Sequence, residues 1–229
     1  QGGALTPKRA VLLVDEAATL DKLQGALDTL SRKLSAFDTV VFFFSGHGEV
    51  FETLDSEEPD GFDEALCLVD ASGRGKSPGH LLDDSLSQAL DALKACQVIL
   101  LDACFSGGFR SELSRRAARL ALFSSQEDRQ SREGAQFRAG LMSHLIVEAL
   151  SGVADADGNG VSAGDLEDYV LKLMPLCCPG CDALGGPRDT VCPKCLLPFS
   201  GVNRRQQGLS LRYLDRDLIL SLNSRPAVP

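Results

Sequence analysis

No stretch of this sequence approaches the run of about 20 apolar residues that a helix needs to cross a membrane. Positive charge is also short. Lys and Arg total 23 against 32 Asp and Glu, for a net charge of −9. Nucleic acids and anionic membrane surfaces select a basic face, so neither is an expected partner, whereas cationic ones are. No secretion signal is visible, and the first residue is Gln1 rather than Met, so a processed or trimmed fragment is expected. Internal repeats and low-complexity segments are missing as well. These gaps bear on the eight cysteines. Disulfide frameworks belong mainly to small secreted proteins, whereas 229 residues suffice for one α/β domain and a small appendage. The expectation is a reducing, cytoplasmic setting, with a metal for the clustered cysteines and free thiols elsewhere.

What is present alternates between two periods. Residues 11–14 (VLLV), 39–44 (TVVFFF), 97–103 (QVILLDA) and 120–123 (LALF) are short apolar runs suited to buried strands, and 64–69 suits a further short one. Between them, Thr19 can cap a helix whose apolar face is Leu20, Leu23, Leu27, Leu30 and Leu34. A second helix is expected from Asp83 to about Cys96, with Leu86, Leu90 and Leu93 on one face. Further helices are expected over 141–150 and 163–173, and one or two closing strands over 209–222. Residues 51–60 read as an acidic loop, 77–79 as a turn, and 109–117 (FRSELSRRA) as an exposed connection. Apolar strands alternating with helices predict an α/β fold, a mostly parallel β-sheet flanked by helices on both faces.

Two strands end in motifs that carry chemistry: VVFFFSGHG and VILLDACFSGG. In open parallel sheets, reactive groups gather at the carboxyl ends of strands. Each motif sets a reactive side chain, His47 or Cys104, just past a strand and beside glycines that permit a sharp turn. An imidazole near a thiol can take its proton and leave a thiolate nucleophile. The amides of Gly48 and Cys104 are candidate donors to the oxyanion of an acyl transfer. The competing reading is a buried structural thiol and a satisfied core histidine. Asp102 lies two residues before Cys104, and strand alternation lets both face one side. A carboxylate at a pocket floor pairs with a cationic side chain, best with the fork of arginine. The plainer alternative is that Asp102 caps the sheet edge. Of the other histidines, His80 in a polar turn and His144 in an amphipathic helix read as structural or solvated.

FFFSGHG followed by LLDACFSGG resembles the clan of caspases, metacaspases and bacterial caspase-like peptidases. DGFDEALCLVD (60–70) and LLDDSL (81–86) resemble intervening metacaspase motifs in the right order. The likeness covers about residues 11–170 and the last strands. It implies a caspase-like fold and a dyad of Cys104 and His47. Metacaspases carry an acid at the place of Asp102 and cleave after Arg or Lys, and Ser45 matches a second pocket residue. They tend to be monomers, and their calcium-activated members use acids matching Asp63, Asp83 and Asp84. The family usually has another strand before residue 11 and a further pocket aspartate. Neither is matched here, so a separate N-terminal fragment of the same precursor is a candidate partner. The expectation is therefore a bacterial, cytoplasmic cysteine peptidase acting on proteins or peptides after Arg or Lys. It would be activated by processing in a death or defence pathway, with self-cleavage expected at Arg115 or Arg116.

Two C-x-x-C knuckles, Cys178 with Cys181 and Cys192 with Cys195, stand ten residues apart and predict a structural zinc ribbon, with Cys177 as a spare ligand. The expected organisation is a peptidase domain over 1–176, the ribbon insert over 177–200, and strands over 201–229 that complete the peptidase domain. DADGNGVSAGDLE (155–167) offers Asp155, Asp157 and Asn159 as candidate calcium ligands. Position twelve of that loop is Leu166, however, so a capped turn opening a helix is the competing reading. The alternative function is an inactive caspase-like adaptor presenting the ribbon to a protein. A zinc-ribbon nucleic-acid binder is disfavoured by the charge.

Overall fold

The computed structural model describes residues 10–53, 61–72, 78–114, 118–127, 133–134, 139–178, 180–181, 183–199, 205–206, 208–212 and 217–221. In chain order the elements are α1 (Leu20–Lys33), β1 (Thr39–Ser45), β2 (His47–Glu52), β3 (Phe62–Cys67), β4 (His80–Leu82), α2 (Asp83–Asp91), β5 (Cys96–Asp102), α3 (Arg110–Leu113), β6 (Arg119–Phe123), β7 (Glu133–Gly134), β8 (Ala139–Gly140), α4 (Leu141–Glu148), β9 (Val161–Ser162), α5 (Ala163–Leu173), β10 (Leu176–Cys177), β11 (Leu184–Gly185), β12 (Arg205–Gln206), β13 (Leu209–Arg212) and β14 (Ile219–Ser221).

The central sheet has the order β1-β5-β6-β13. Its first three strands are parallel and β13 runs antiparallel beside β6. The runs QVILLD and LALF become strands because each is buried on two faces, and TVVFFF pairs in register beside the first. Along β5, Ile99 and Leu101 point into one cluster with Leu27 of α1, Leu86 and Leu90 of α2, and Leu113 of α3. Val98 and Leu100 point into the other, with Met142 and Ile146 of α4 and Leu166 and Val170 of α5. Alternation of side chains thus divides one strand between two helical layers. At β1 the division is incomplete: Phe42 is buried, while Val41 and Phe43 are 39% and 49% exposed.

The remaining strands lie outside the central sheet. Strands β2, β3 and β4 form a separate antiparallel sheet, β10 pairs with β11 and β12, and β14 pairs with β9. Strand β3 answers the short strand expected over 64–69, but β2 has no counterpart in the expectations, which placed a loop from residue 51. His80 lies in β4 and is buried, rather than standing in a turn.

Three local expectations are corrected. Residues 11–14 form no strand, and Val11, Leu12 and Val14 are 62%, 80% and 53% exposed. An apolar run becomes a strand only when a neighbour accepts its amides, and none of the described strands pairs with it. Helix α2 stops at Asp91 rather than near Cys96, and carbonyls at and just past its end accept from a side chain outside the helix. Gln97 Nε2 donates to Leu90 O at 2.6 Å and to Leu93 O at 3.3 Å. The stretch after Phe109 is not wholly exposed: Phe109, Glu112 and Leu113 are buried. Arg115 and Arg116 lie outside the described residues.

Arg119 explains how a charged residue ends up inside. It is fully buried at the start of β6. Its Nε and one terminal nitrogen donate to Gln97 Oε1 at 3.0 and 2.8 Å. The other terminal nitrogen donates to Leu113 O at 2.9 Å, and the first also reaches Asp91 Oδ1 at 2.9 Å. One guanidinium therefore joins the end of α2, β5, β6 and α3. Arg119→Met should cost about 3 kcal/mol in denaturant unfolding, since it orphans a buried amide oxygen and a buried carbonyl. Arg119→Lys should recover little, because one ammonium cannot reproduce the fork.

Candidate active site

The site grows from the register of β1 on β5. That pairing sets Ser45 beside Asp102 at the carboxyl ends of both strands, and the Gly46 amide donates to Asp102 O at 3.2 Å. The chain then turns directly into β2, so His47 stands at the junction of the two sheets. Gly48 follows, with its Cα against the Cys104 backbone. A Cβ there would overlap the Cys104 carbonyl oxygen and crowd Ala103. Only glycine allows the His47 and Cys104 segments to approach this closely. His47 is exposed and Cys104 half-buried, so both are open to a substrate.

The segment carrying Cys104 is strained and braced. Phe105 has φ 57° and ψ 14°, a left-handed conformation unusual for an aromatic residue. The turn is held by two serines from the end of β6. The hydroxyls of Ser124 and Ser125 donate to Ala103 O at 3.1 and 3.0 Å. The Ser106 amide donates to Ser125 Oγ at 3.2 Å, and the Ser125 amide donates to Ser106 Oγ at 3.3 Å. All three serines are buried. A turn fixed on both sides presents its thiol in a defined direction. Sequence reasoning missed Ser124 and Ser125, since a serine pair after a strand carries no local signal of that task.

Asp102 is only 4% exposed. Its Oδ2 accepts from the Ser143 amide at 2.8 Å and the Ser143 hydroxyl at 2.6 Å. Ser143 is in the first turn of α4, so the carboxylate caps that helix and sits in the favourable field of its N-terminus. Gly140, the residue before α4, packs so closely that a Cβ would overlap the carboxylate. Neither Gly140 nor Ser143 was singled out from the sequence. A cleft of about 460 Å³ runs along the segment after Cys104, lined by Gly107, Gly108, Arg110, Gln126 and Glu127 among others. Neither His47 nor Cys104 lines it.

A second cysteine lies close by. Cys67 of β3 is paired with His47 of β2. Its thiol is pushed up to about 11, first by burial, then by the Glu49 carboxylate and the Cys104 thiol.

The four knuckle cysteines converge as expected. Cys178, Cys181, Cys192 and Cys195 bring their sulfurs within 4.8 Å of one another. Cys178 and Cys195 are 3.5 Å apart, as are Cys181 and Cys192. Sulfurs around tetrahedral zinc with 2.3 Å bonds stand about 3.8 Å apart. The amides of Lys194 and Cys195 turn toward Cys192 Sγ at 3.4 and 3.5 Å. Burial opposes ionisation of Cys192, yet those amides and the thiols of Cys181 and Cys178 outweigh it and lower the thiol to about 6. The donor set fits a thiolate-preferring ion, and this cluster could hold a metal such as zinc. Cys177 lies one residue earlier, in β10, paired with Leu184 and Arg205.

The candidate calcium residues are placed as follows. Asp155 accepts from the amides of Gly158 and Gly160 at 2.7 and 3.2 Å, and Asp157 accepts from the Asn159 side chain at 2.7 Å. The loop leads to Ser162, which caps α5 in a reciprocal box with Asp165. Asp63 and Asp83 are buried, and Asp83 accepts from the Asp84 amide at 2.9 Å. None of these acids belongs to a set of three or more His, Cys, Asp or Glu ligand atoms within 4.8 Å among the described residues.

Residues 7–111, which include His47 and Cys104, match the family model described as metacaspase, peptidase C14 domain. The chain is 35% identical over 107 residues to Metacaspase-1 of Pyricularia oryzae, covering 42% of this chain and 26% of that protein. It is 36% identical over 107 residues to Metacaspase-3 of Arabidopsis thaliana, covering 42% and 28%. The chain thus spans about a quarter of the length of these curated relatives. A Geobacter sulfurreducens protein of known crystal structure aligns with a TM-score of 0.51 at 19% identity, over 70% of this chain and 71% of that one. A likeness at that identity speaks for the fold alone.

Gly48→Ala tests the close approach. The added methyl should displace the Cys104 segment and lower kcat/KM on any turned-over peptide by about 100-fold, with an unchanged far-ultraviolet spectrum.

Proposed function

We propose, for a chain that over residues 7–111 is of the caspase/metacaspase type, that Cys104 and His47 cleave peptide bonds after Arg or Lys. The observation that carries this reading is the glycine-only contact of Gly48 with the Cys104 carbonyl, at the ends of adjacent parallel strands. His47 takes the Cys104 proton, and the thiolate attacks the scissile carbonyl carbon. The amides of Gly48 and Cys104 receive the oxyanion. His47 then returns the proton to the leaving amine, and a thioester remains on Cys104. Water, deprotonated by His47, attacks the thioester, the acyl product leaves and the thiol re-forms.

Asp102 supports the basic preference. Bonds from Ser143 keep its carboxylate oriented, and the N-terminus of α4 favours its charge. A guanidinium or ammonium is the complementary partner. Ser45, its neighbour across the strand register, would line the same pocket. On this reading, an N-terminal fragment of the same precursor covers Val41 and Phe43 at the β1 edge. Phe43→Asp should then abolish its capture.

Fluorogenic peptides ending in Arg, Lys or Asp separate the possibilities. Turnover of the basic peptides, lost in Cys104→Ala, is expected. Asp102→Asn keeps an acceptor for Ser143 but removes the charge, and should lower kcat/KM for Arg peptides by about 100-fold. Absence of Cys104-dependent turnover under all calcium and partner conditions would favour the adaptor.

Zinc is the proposed occupant of the four-cysteine cluster, where it would act as a structural tie and take no part in the chemistry. Cys192→Ser should remove one zinc per chain, measured by elemental analysis. Chelation should lower Tm, since the small cluster of Leu176, Cys178, Cys192 and Phe199 is all the core this unit has among the described residues.

A further inference from the structure

Beyond the four-cysteine cluster, one other group of metal-ligating atoms converges among the described residues: Glu49, Cys67 and His80, each donor within 4.8 Å of the others. None of the three belongs to the dyad or to the candidate zinc and calcium sets. They come from three adjacent strands. Cys67 of β3 lies directly opposite His80 of β4 on one side and His47 of β2 on the other. Directly opposed residues of an antiparallel pair point to the same face, as do residues two apart in one strand. His47, Glu49, Cys67 and His80 therefore share one face of the small sheet.

The local geometry suits a cation. His80 Nε2 stands 3.3 Å from Glu49 Oε2, with the His80 side chain 2% exposed and that of Glu49 47%. Nitrogen and oxygen donors on tetrahedral zinc, with bonds of about 2.1 Å, stand about 3.4 Å apart. Phe51 packs edge-on against the His80 ring at 5.1 Å, which limits how the imidazole can turn. One thiol, one imidazole and one carboxylate are borderline-soft donors of the kind that select zinc over calcium or magnesium. Three protein donors also leave the fourth position of a tetrahedron open.

We infer that Glu49, Cys67 and His80 form a second divalent transition-metal site, of the zinc type, beside the dyad. Zinc binding there displaces the Cys67 proton to solvent and forms the Zn–S bond. His47 is the residue placed to complete the tetrahedron, because directly opposed residues have Cβ atoms about 5 Å apart. An imidazole engaged in this way no longer accepts the Cys104 proton, so the ion acts as a brake on the peptidase. That second step rests on the peptidase reading, whereas the metal site itself does not.

The test uses the full chain, titrated with zinc against a chromophoric chelator, and separately with cobalt(II) to observe thiolate-to-metal charge-transfer absorption. Wild type should bind one zinc equivalent more than Cys67→Ser. Glu49→Gln, at an exposed position that leaves the fold intact, should weaken that equivalent at least tenfold. An equal zinc count in wild type and Cys67→Ser, or unchanged affinity in Glu49→Gln, overturns the site. Where basic peptides are turned over, zinc should inhibit wild type at least tenfold more strongly than Cys67→Ser. Equal inhibition overturns the brake and leaves the site standing. If no peptide is turned over, the peptidase reading fails while the metal count still decides the site.

Discussion

Gly48 and the carbonyl of Cys104 meet where no side chain fits. This contact fixes how two segments far apart in sequence approach each other, and several features follow from it. The parallel pairing of β1 with β5 brings both strand ends to one level. The turn at Gly46 starts β2 at once, with His47 as its first residue and Gly48 against the Cys104 segment. Phe105, the residue after Cys104, takes a left-handed conformation. Strain of this kind costs about 1–3 kcal/mol and persists only where the surroundings over-determine it. Here Ser124, Ser125 and Ser106 do so with four buried hydrogen bonds.

The same economy of buried polar contacts recurs around the central sheet. Asp102 caps α4 through Ser143, which ties the helix on one face of the sheet to the end of β5. Arg119 and Gln97 join the end of α2, α3 and two strands on the other. Both arrangements leave charges inside with their partners met, the condition under which a low-dielectric interior accepts them. Both also fasten the helical layers to β5, the strand that leads to Cys104. The rigidity of the site is thus a property of the whole sandwich.

Two thiol-rich regions contrast in their surroundings. In the knuckles, backbone amides turn toward sulfur and favour a thiolate at Cys192. At Cys67, burial, a carboxylate and a neighbouring thiol work against the thiolate. The first group could hold a metal such as zinc, and the second is the site proposed beside His47.

The sequence by itself determined whatever depends on near neighbours. The apolar runs at 39–44, 97–103 and 120–123 announced the strands of a mostly parallel sheet, and in the last two burial on both faces accounts for the continuous hydrophobicity. The helix over Ala163–Leu173 was expected after the Asp/Gly/Asn loop, and the cysteine knuckles followed from their spacing. His47 and Cys104 stood out because each follows such a strand beside glycine. Tertiary structure alone decided the rest, since each feature needs a partner distant in the chain. Residues 11–14 have strand-like composition but no neighbouring edge among the described strands. Helix α2 ends where Gln97 takes its last carbonyls. Arg119 is buried because three acceptors from other elements, on Gln97, Leu113 and Asp91, receive its four hydrogen bonds. Asp102 holds a serine 41 residues away, and the row of His47, Cys67 and His80 exists only once three strands are in register. Periodicity records which faces are apolar, but hydrogen-bond geometry between remote segments leaves no local trace.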